Sequence, residues 1–303
     1  VVILVHPADD LHLTALINIE IILVDVMDEV IDHAVLIHHG EVQQQLSVVA
    51  GLFKQRREDL VQGVALLDKE QPELLDEVND FIASIKEDGT LDEICNKYFS
   101  DGEPEAVKSA KLDTTKDQLV VATNAAFEPF EYTKGEDYYG IDMEIASLLA
   151  EKLGKELVIE NMDFDAVCLS VSQQKCDIAM AGLTINEERE KYVTFTDSYY
   201  SASQRLIVPS NDTAFDDCKS ADDVAAKLAE LKESDKIGVQ QGTTGQYYVE
   251  GSEEWDFPGL PAKCVTYKSG SLAVQDMLNG NINYVIIDAA PASAITTAIN
   301  EVQ

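Results

Sequence analysis

CDIAMAGLTINEER, residues 176–189, is the stretch on which the reading of this chain turns. Ile178 and Met180 with their small neighbours read as a strand, and Gly182 breaks the run ahead of Thr184 and a polar segment ending on Arg189. A strand that gives way to a glycine turn and a helix start is one βα unit of an α/β sheet. The same segment is chemically pointed. A free carboxylate is met well by an arginine fork, a threonine hydroxyl and open backbone N–H groups. Four arginines occur in the chain, Arg56, Arg57, Arg189 and Arg205, and Arg189 is the one that follows such a turn, five residues after Thr184. The plain alternative is an exposed arginine at a helix start.

Upstream, LVVAT (119–123) is β-branched enough to be a strand, and it opens into a loop carrying Asn124, Phe127, Phe130 and Tyr132 around Pro129. Those aromatics either close the top of a sheet or wall a ligand, since pockets are mostly apolar with a few placed polar groups. A helix follows, with Asp142 as its expected cap, Ile145, Leu148, Leu149 and Leu153 as its buried stripe and Gly154 as its stop. ELVIE (156–160) is a second strand, leading to a helix on which Phe164, Val167, Cys168 and Val171 recur at helical spacing. Three βα repeats imply an open sheet whose ligands collect at the strand C-terminal ends. Asn124, Phe127, Phe164 and Thr184 all fall there.

Downstream the construction repeats. Ser220 and Asp223 form a capping pair for a helix with Val224, Leu228 and Leu231 inward, followed by the strand KIGVQ (236–240) and the loop QGTTGQ (241–246). That loop offers hydroxyls and backbone donors at Thr243 and Thr244, but it lacks the lysine and spacing of a phosphate-binding P-loop. VQDMLNGNINYVIIDAAPA (274–292) reads as a helix, a Gly280 turn and an apolar strand ending on Asp288. A carboxylate at the mouth of a buried strand is costly unless paired, so Asp288 is either a structural cap or a ligand for a cation.

From about residue 117 onward these segments, in this order, resemble the periplasmic-type amino-acid-binding proteins of ABC importers, the group that contains the glutamine binders and the lysine/arginine/ornithine binders. The resemblance implies a two-lobed α/β fold of periplasmic-binding-protein type II, with open sheets flanked by helices and the ligand held in the interlobe cleft by flytrap closure. It implies that Arg189 binds the ligand carboxylate and Asp288 its ammonium. Ala181, Gly182, Thr184, Thr243 and Thr244 become backbone and hydroxyl contacts, and Phe127 and Phe164 the walls. Asn124 stands where many relatives carry aspartate and Gln240 where the glutamine binder carries lysine. These neutral residues favour a polar amino acid, glutamine first, while Glu128 and Asp163 leave room for a basic one. The implied partners are the free amino acid and an importer permease, and the implied location is extracytoplasmic, tethered by lipid or permease.

The first hundred residues invert the expected order. PELLDEVNDFIASIKEDGTLDEICNKYF (72–99) holds an amphipathic helix with Leu74, Leu75, Val78, Phe81, Ile82 and Ile85 on one side, a stop at Asp88-Gly89, and a Thr90–Glu93 capping box for a second helix. This pair resembles the family's C-terminal end, yet it precedes the family's beginning. A repeat accounts for it: NIEIILVD (18–25) aligns with NINYVIID (281–288), pairing Asp25 with Asp288, and EVQ recurs at 41–43 and 301–303. The expected organisation is a divergent tail of a first copy (1–43), a C-terminal return segment (44–100), a polar linker (101–118), lobe 1 of a second copy (119–208) and an incomplete lobe 2 (209–303). The opening Val1 fits a fragment of a tandem protein. A flexible linker of this length reaches roughly 25 Å, enough for 44–100 to complete the second copy within the same chain. Residues 1–43 would then compete with 264–303 for one place.

A net charge of −34 opposes binding to nucleic acid and to anionic membrane surfaces, and no apolar run reaches the length of a spanning helix. All five histidines, His6, His12, His33, His38 and His39, lie before residue 44 on polar surroundings and read as solvated rather than metal-binding. The five cysteines show no metal spacing, and Cys168 and Cys264 read as small core residues. No cofactor or metal is expected. Two other classes share this chemistry: the ligand-sensing domain of a signalling receptor, and a cyclohexadienyl-dehydratase-like enzyme with Glu128 or Asp163 as its acid. No nucleophile–base pair is evident, so a binding protein rather than an enzyme is expected.

Overall fold

A computed structural model describes residues 19–22, 61–100 and 102–302. The histidines and Asp25 lie outside the described residues. The chain divides into two compact units, one spanning Leu60–Ala202 and the other Ser203–Gln303 together with β1 (Ile19–Ile22).

The first unit runs β2 (Val61–Asp68), α1 (Pro72–Glu87), α2 (Thr90–Phe99), β3 (Gln118–Thr123), β4 (Ala126–Phe127), β5 (Glu131–Lys134), β6 (Asp137–Tyr139), α3 (Ile141–Leu153), β7 (Glu156–Asn161), α4 (Phe164–Ser172), β8 (Ile178–Thr184), α5 (Glu187–Glu190), β9 (Val193–Phe195) and β10 (Tyr200–Ser201). Its main sheet has the order β10-β2-β8-β3-β7, with β9 also on β2, and β4–β6 form a small sheet of their own. Because β3 is parallel to both β7 and β8, their C-terminal ends share one edge. All six residues of β3 are buried, as a strand covered on both faces requires. Val120, Ala122, Val158, Ala179 and Leu183 pack in one cluster with Val167 and Val171, one helical turn apart on α4. Helix α3 packs on β3, β7 and β8, with Ile145 and Leu149 buried and Leu148 and Leu153 only half-buried.

Asp142 is not the cap of α3. Gly140 occupies that position, since a Cβ there would lie 2.0 Å from the Phe130 carbonyl oxygen and φ is +127°. Asp142 instead sits in the first turn, 0 % exposed.

Residues 61–100 belong to this unit's fold. β2 lies inside the sheet, antiparallel to β8 on one side and to β9 and β10 on the other. Val78, Phe81, Ile82 and Ile85 of α1 are buried. The turn into α2 uses Gly89 at φ +85°, which puts Thr90 at the first helical position, so Asp88 rather than a Thr90–Glu93 box supplies the acceptor: its Oδ1 receives the Thr90 N–H at 2.9 Å. Helix α2 is fastened to α3 by Tyr98, whose hydroxyl donates to Glu144 at 2.6 Å and accepts the Gly140 N–H at 3.0 Å, and by Lys97, 2.8 Å from Glu144. The segment between α2 and β3 is a strap along the surface. Val107 exchanges backbone hydrogen bonds with Tyr138, and the Ala110 N–H donates to Leu157 at 2.8 Å.

The second unit adds to β1 the elements β11 (Gln204–Pro209), α6 (Ala221–Ala229), β12 (Lys236–Gln240), α7 (Thr244–Glu250), β13 (Lys263–Tyr267), α8 (Gly270–Leu278), β14 (Tyr284–Asp288) and α9 (Ala289–Val302). The sheet order is β1-β11-β14-β12-β13. β12 is parallel to β13 and β14, and β11 is antiparallel to β14 and β1. Residues 19–22 and 284–288 therefore lie on opposite sides of β11 and do not exclude one another, which corrects the expected competition at those positions. Ser220 caps α6, its Oγ accepting the Asp223 N–H at 3.2 Å while Asp223 accepts the Lys219 N–H at 2.8 Å; Leu231, expected inward, is half-buried. Ser220→Ala is expected to lower stability by about 1 kcal/mol, read from thermal unfolding.

Candidate functional site

In the first unit, the chain reversal after β8 builds a compact anchor. Asn186 caps α5 by accepting the Arg189 N–H at 2.8 Å, and the Arg189 side chain turns back so that Nη1 donates to the Thr184 carbonyl at 2.6 Å. Its guanidinium lies over the Phe164 ring, 5.4 Å from the centroid, within cation–π range. Arg189 is buried, 7 % exposed, and so is not the exposed arginine of the plain alternative. A guanidinium carries five donors in a rigid fork, of which the Thr184 carbonyl engages one.

Gly182 and Phe127 meet directly. Gly182 has φ +53°, and a Cβ there would come within 2.7 Å of the Phe127 ring, so a side chain would both strain the backbone and displace the aromatic. The register between β2 and β8 shifts around this point, as at a bulge, a device that re-aims side chains next to sites. Phe127 stacks on Phe130 with centroids 6.0 Å apart. The Asn124 amide donates to the Met162 carbonyl at 2.7 Å, tying the loop after β3 to the end of β7. Ala181, Gly182, Thr184, Arg189, Asn124, Phe127 and Phe164 thus gather at the C-terminal edge of β3, β7 and β8 or just beyond it.

Two residues that sequence reasoning placed elsewhere or passed over hold this edge. Asp142 Oδ2 accepts the Gly182 N–H at 2.9 Å and Oδ1 accepts the Tyr199 hydroxyl at 2.8 Å. Burial pushes the Asp142 carboxyl up to about 6, against the lowering effect of its two hydrogen bonds, and burial with the nearby Asp142 carboxylate raises the Tyr199 hydroxyl well above its ordinary value. An acidic residue in the first turn of an apolar helix was a signal for Asp142. Tyr199 had none.

In the second unit Gln240 ends β12, Gly242 turns at φ +78°, and Thr243 precedes α7, its hydroxyl donating to the Gln240 carbonyl at 2.8 Å. The expected loop 241–246 is therefore partly helical, with Thr244 at the first position of α7. Asp288 ends β14, buried, and accepts a hydrogen bond from the Gln204 amide on β11. Gln240, Thr243, Thr244 and Asp288 share the C-terminal edge of the parallel pair β12 and β14. The candidate residues thus form two groups, one in each unit.

All five cysteines are free thiols. Cys176 and Cys218 are the buried ones, whereas Cys168 and Cys264, expected in the core, are half-buried. Burial pushes the Cys95 thiol up to about 11 and Cys264 up to about 12, which keeps them protonated. Among the described residues no group of three or more His, Cys, Asp or Glu side chains could hold a metal ion, and no helix is long and apolar enough to cross a membrane. A hollow of about 340 Å³ lined by Leu112, Met162, Leu169 and Cys176 contains none of the candidate residues.

Comparison with known proteins supplies one family. The family described as bacterial extracellular solute-binding proteins, family 3, matches residues 3–101 and 119–282. The arginine-binding extracellular protein ArtP of Bacillus subtilis (strain 168) is 33% identical over 131 residues, 43% of this chain and 47% of that protein. The histidine-binding periplasmic protein of Salmonella typhimurium (strain LT2) is 28% identical over 177 residues, 58% of this chain and 62% of that protein. Among solved structures, holo ArgBP from T. maritima superposes with a TM-score of 0.51 at 30% identity, over 60% of this chain and 74% of that one. The chain spans about half the length of the first relative and under two thirds of the second.

Proposed function

Because the chain belongs to the bacterial extracellular solute-binding proteins of family 3, we propose that it captures a free polar L-amino acid outside the cytoplasm for the permease of an ABC importer. Arg189 receives the ligand carboxylate, Asp288 its ammonium, and Phe127 and Phe164 flank it. The observation that carries this reading is the buried guanidinium, oriented by the Thr184 carbonyl and the Phe164 ring at the edge where parallel strands end. Two or three charge-assisted hydrogen bonds at roughly 1.5–3 kcal/mol each, with apolar walls, reach the ~8 kcal/mol of micromolar binding. Relatives named for arginine and histidine bring basic ligands alongside glutamine, and the exposed Glu128, Asp163 and Asp165 beside the aromatic walls suit a cationic side chain.

A thermal-shift panel of the twenty common amino acids tests this. A ligand at 100 times its dissociation constant adds about 2.7 kcal/mol of stability, so glutamine, arginine or histidine is expected to raise the unfolding temperature by several degrees. No shift with any amino acid would overturn the reading.

We further infer that the chain joins the tail of one binding-protein repeat to the head of another, with residues 61–100 completing the lobe that 118–202 begin. The position of β2 inside the sheet supports this, as does a family match in two stretches separated at 102–118.

A further inference from the structure

Asp142 is not itself assigned to the ligand, yet it joins two segments that are, the aromatic loop and the strand end at Gly182, to Tyr199. Its main-chain N–H donates to the Phe130 carbonyl at 2.9 Å, beside the bond from Ile141 to Pro129 at 3.0 Å, so the aromatic loop is fastened to the start of α3. Its carboxylate holds Gly182, two residues before the carbonyl that orients Arg189, and Tyr199, just ahead of β10. We propose that Asp142 is a positioning residue whose ionisation sets the backbone at Gly182, and that amino-acid affinity weakens when this carboxylate takes up a proton. The affinity half of the proposal rests on the amino-acid reading above.

Both partners of the carboxylate are donors, an N–H and an O–H, and only the ionised form accepts from both at full strength. A carboxylic acid must itself donate from one oxygen. Gly182 offers that oxygen only an N–H, so the new proton goes to the Tyr199 oxygen, and the buried tyrosine proton loses its acceptor. The bond to Gly182 falls at the same time from charge-assisted to neutral, which roughly halves such a bond. The other titratable groups facing this point are Glu131 on β5 and Cys95 on α2, the latter with Asp92 behind it.

The pH direction follows from burial, which holds Asp142 at about 6 against an ordinary value of 3.8. The folded protein therefore binds this proton more tightly than the unfolded chain. For this group alone, stability rises as pH falls from about 6 toward 4 and is lost as pH rises through the folded value. Weaker binding at pH 5 would thus not arise from Asp142 unfolding the lobe.

The experiment follows the Gly182 amide resonance of 15N-glycine-labelled full chain from pH 5 to 8, and calorimetric affinity for L-arginine and L-glutamine, whose own charges are constant over that range. In the unmodified protein the Gly182 resonance is expected to titrate with a midpoint near 6, and affinity to fall at least fivefold between pH 7.5 and 5. Asp142→Asn should abolish both changes, while Tyr199→Phe, which removes a bond that favours the charged form, should move the midpoint upward. Glu131→Gln, measured in parallel, should leave the Gly182 titration in place. A Gly182 resonance that is flat across the range, or an Asp142→Asn protein that keeps the original pH profile, would overturn the proposal. Absence of binding to every amino acid of the panel above, with Gly182 titrating, would overturn the amino-acid reading and support the carboxylate's hold on Gly182.

Discussion

Arg189→Ala is expected to weaken amino-acid binding at least tenfold by calorimetry. The loss combines two effects. On the proposed reading, the ligand carboxylate forfeits a planar fork whose hydrogen bonds contribute roughly 1.5–3 kcal/mol each, where about 1.4 kcal/mol already corresponds to tenfold. The Phe164 ring also loses the cation lying over it at 5.4 Å. Arg189→Lys separates charge from shape, because an ammonium keeps the positive charge but can neither fork nor stack in the same plane. It should fall between the parent and the alanine variant. Affinity unchanged in Arg189→Ala would remove this residue from the site and with it the orientation assigned to the ligand.

Leu66→Ala is expected to lower the unfolding free energy by about 2–5 kcal/mol, a large part of the 5–15 kcal/mol that a domain typically has. Leu66 is 0 % exposed and pairs across to Ala179 on β8 and Phe195 on β9. Truncating it opens a cavity in the cluster that also contains Val120, Val158 and Val167. Leu112→Ala, at a position 52 % exposed on the strap, serves as the reference and should stay within about 0.5 kcal/mol. Equal, small effects in urea titrations would show that residues 61–68 do not occupy the interior of the sheet in solution.

Of the elements from 118 to 190, β3, α3, β7, α4 and β8 were legible because their signals are local, whereas β4–β6 fall where a loop was expected. β-branched runs mark β3 and β7, the four-residue recurrence of Val167 and Val171 marks α4, and Gly154 marks a helix end, whereas Gly182, expected as a turn, lies inside β8 where the register shifts. The anchor at Arg189 was legible for the same reason, lying within eight residues of Gly182. The role of Asp142 was not, since its partners lie 40 and 57 residues away and a polar residue at a helix start reads first as a cap. The place of β2 was not legible: 44–100 was expected only as a return segment, and the neighbours β2 takes depend on contacts to β8 more than a hundred residues on. The two bulge glycines, Gly63 and Gly182, reveal their purpose only through the atoms of Tyr200 and Phe127 packed against them.

The strap that runs from α2 to β3 makes covalent continuity and mechanical continuity separable in this lobe. Its exposed turn at 113–116 closes on a single backbone bond, Lys116 to Asp113, whereas β2 is gripped by strands on both sides and α2 is bolted to α3 through Tyr98 and Glu144. Severing the polypeptide at that turn would leave the two pieces interleaved rather than hinged apart.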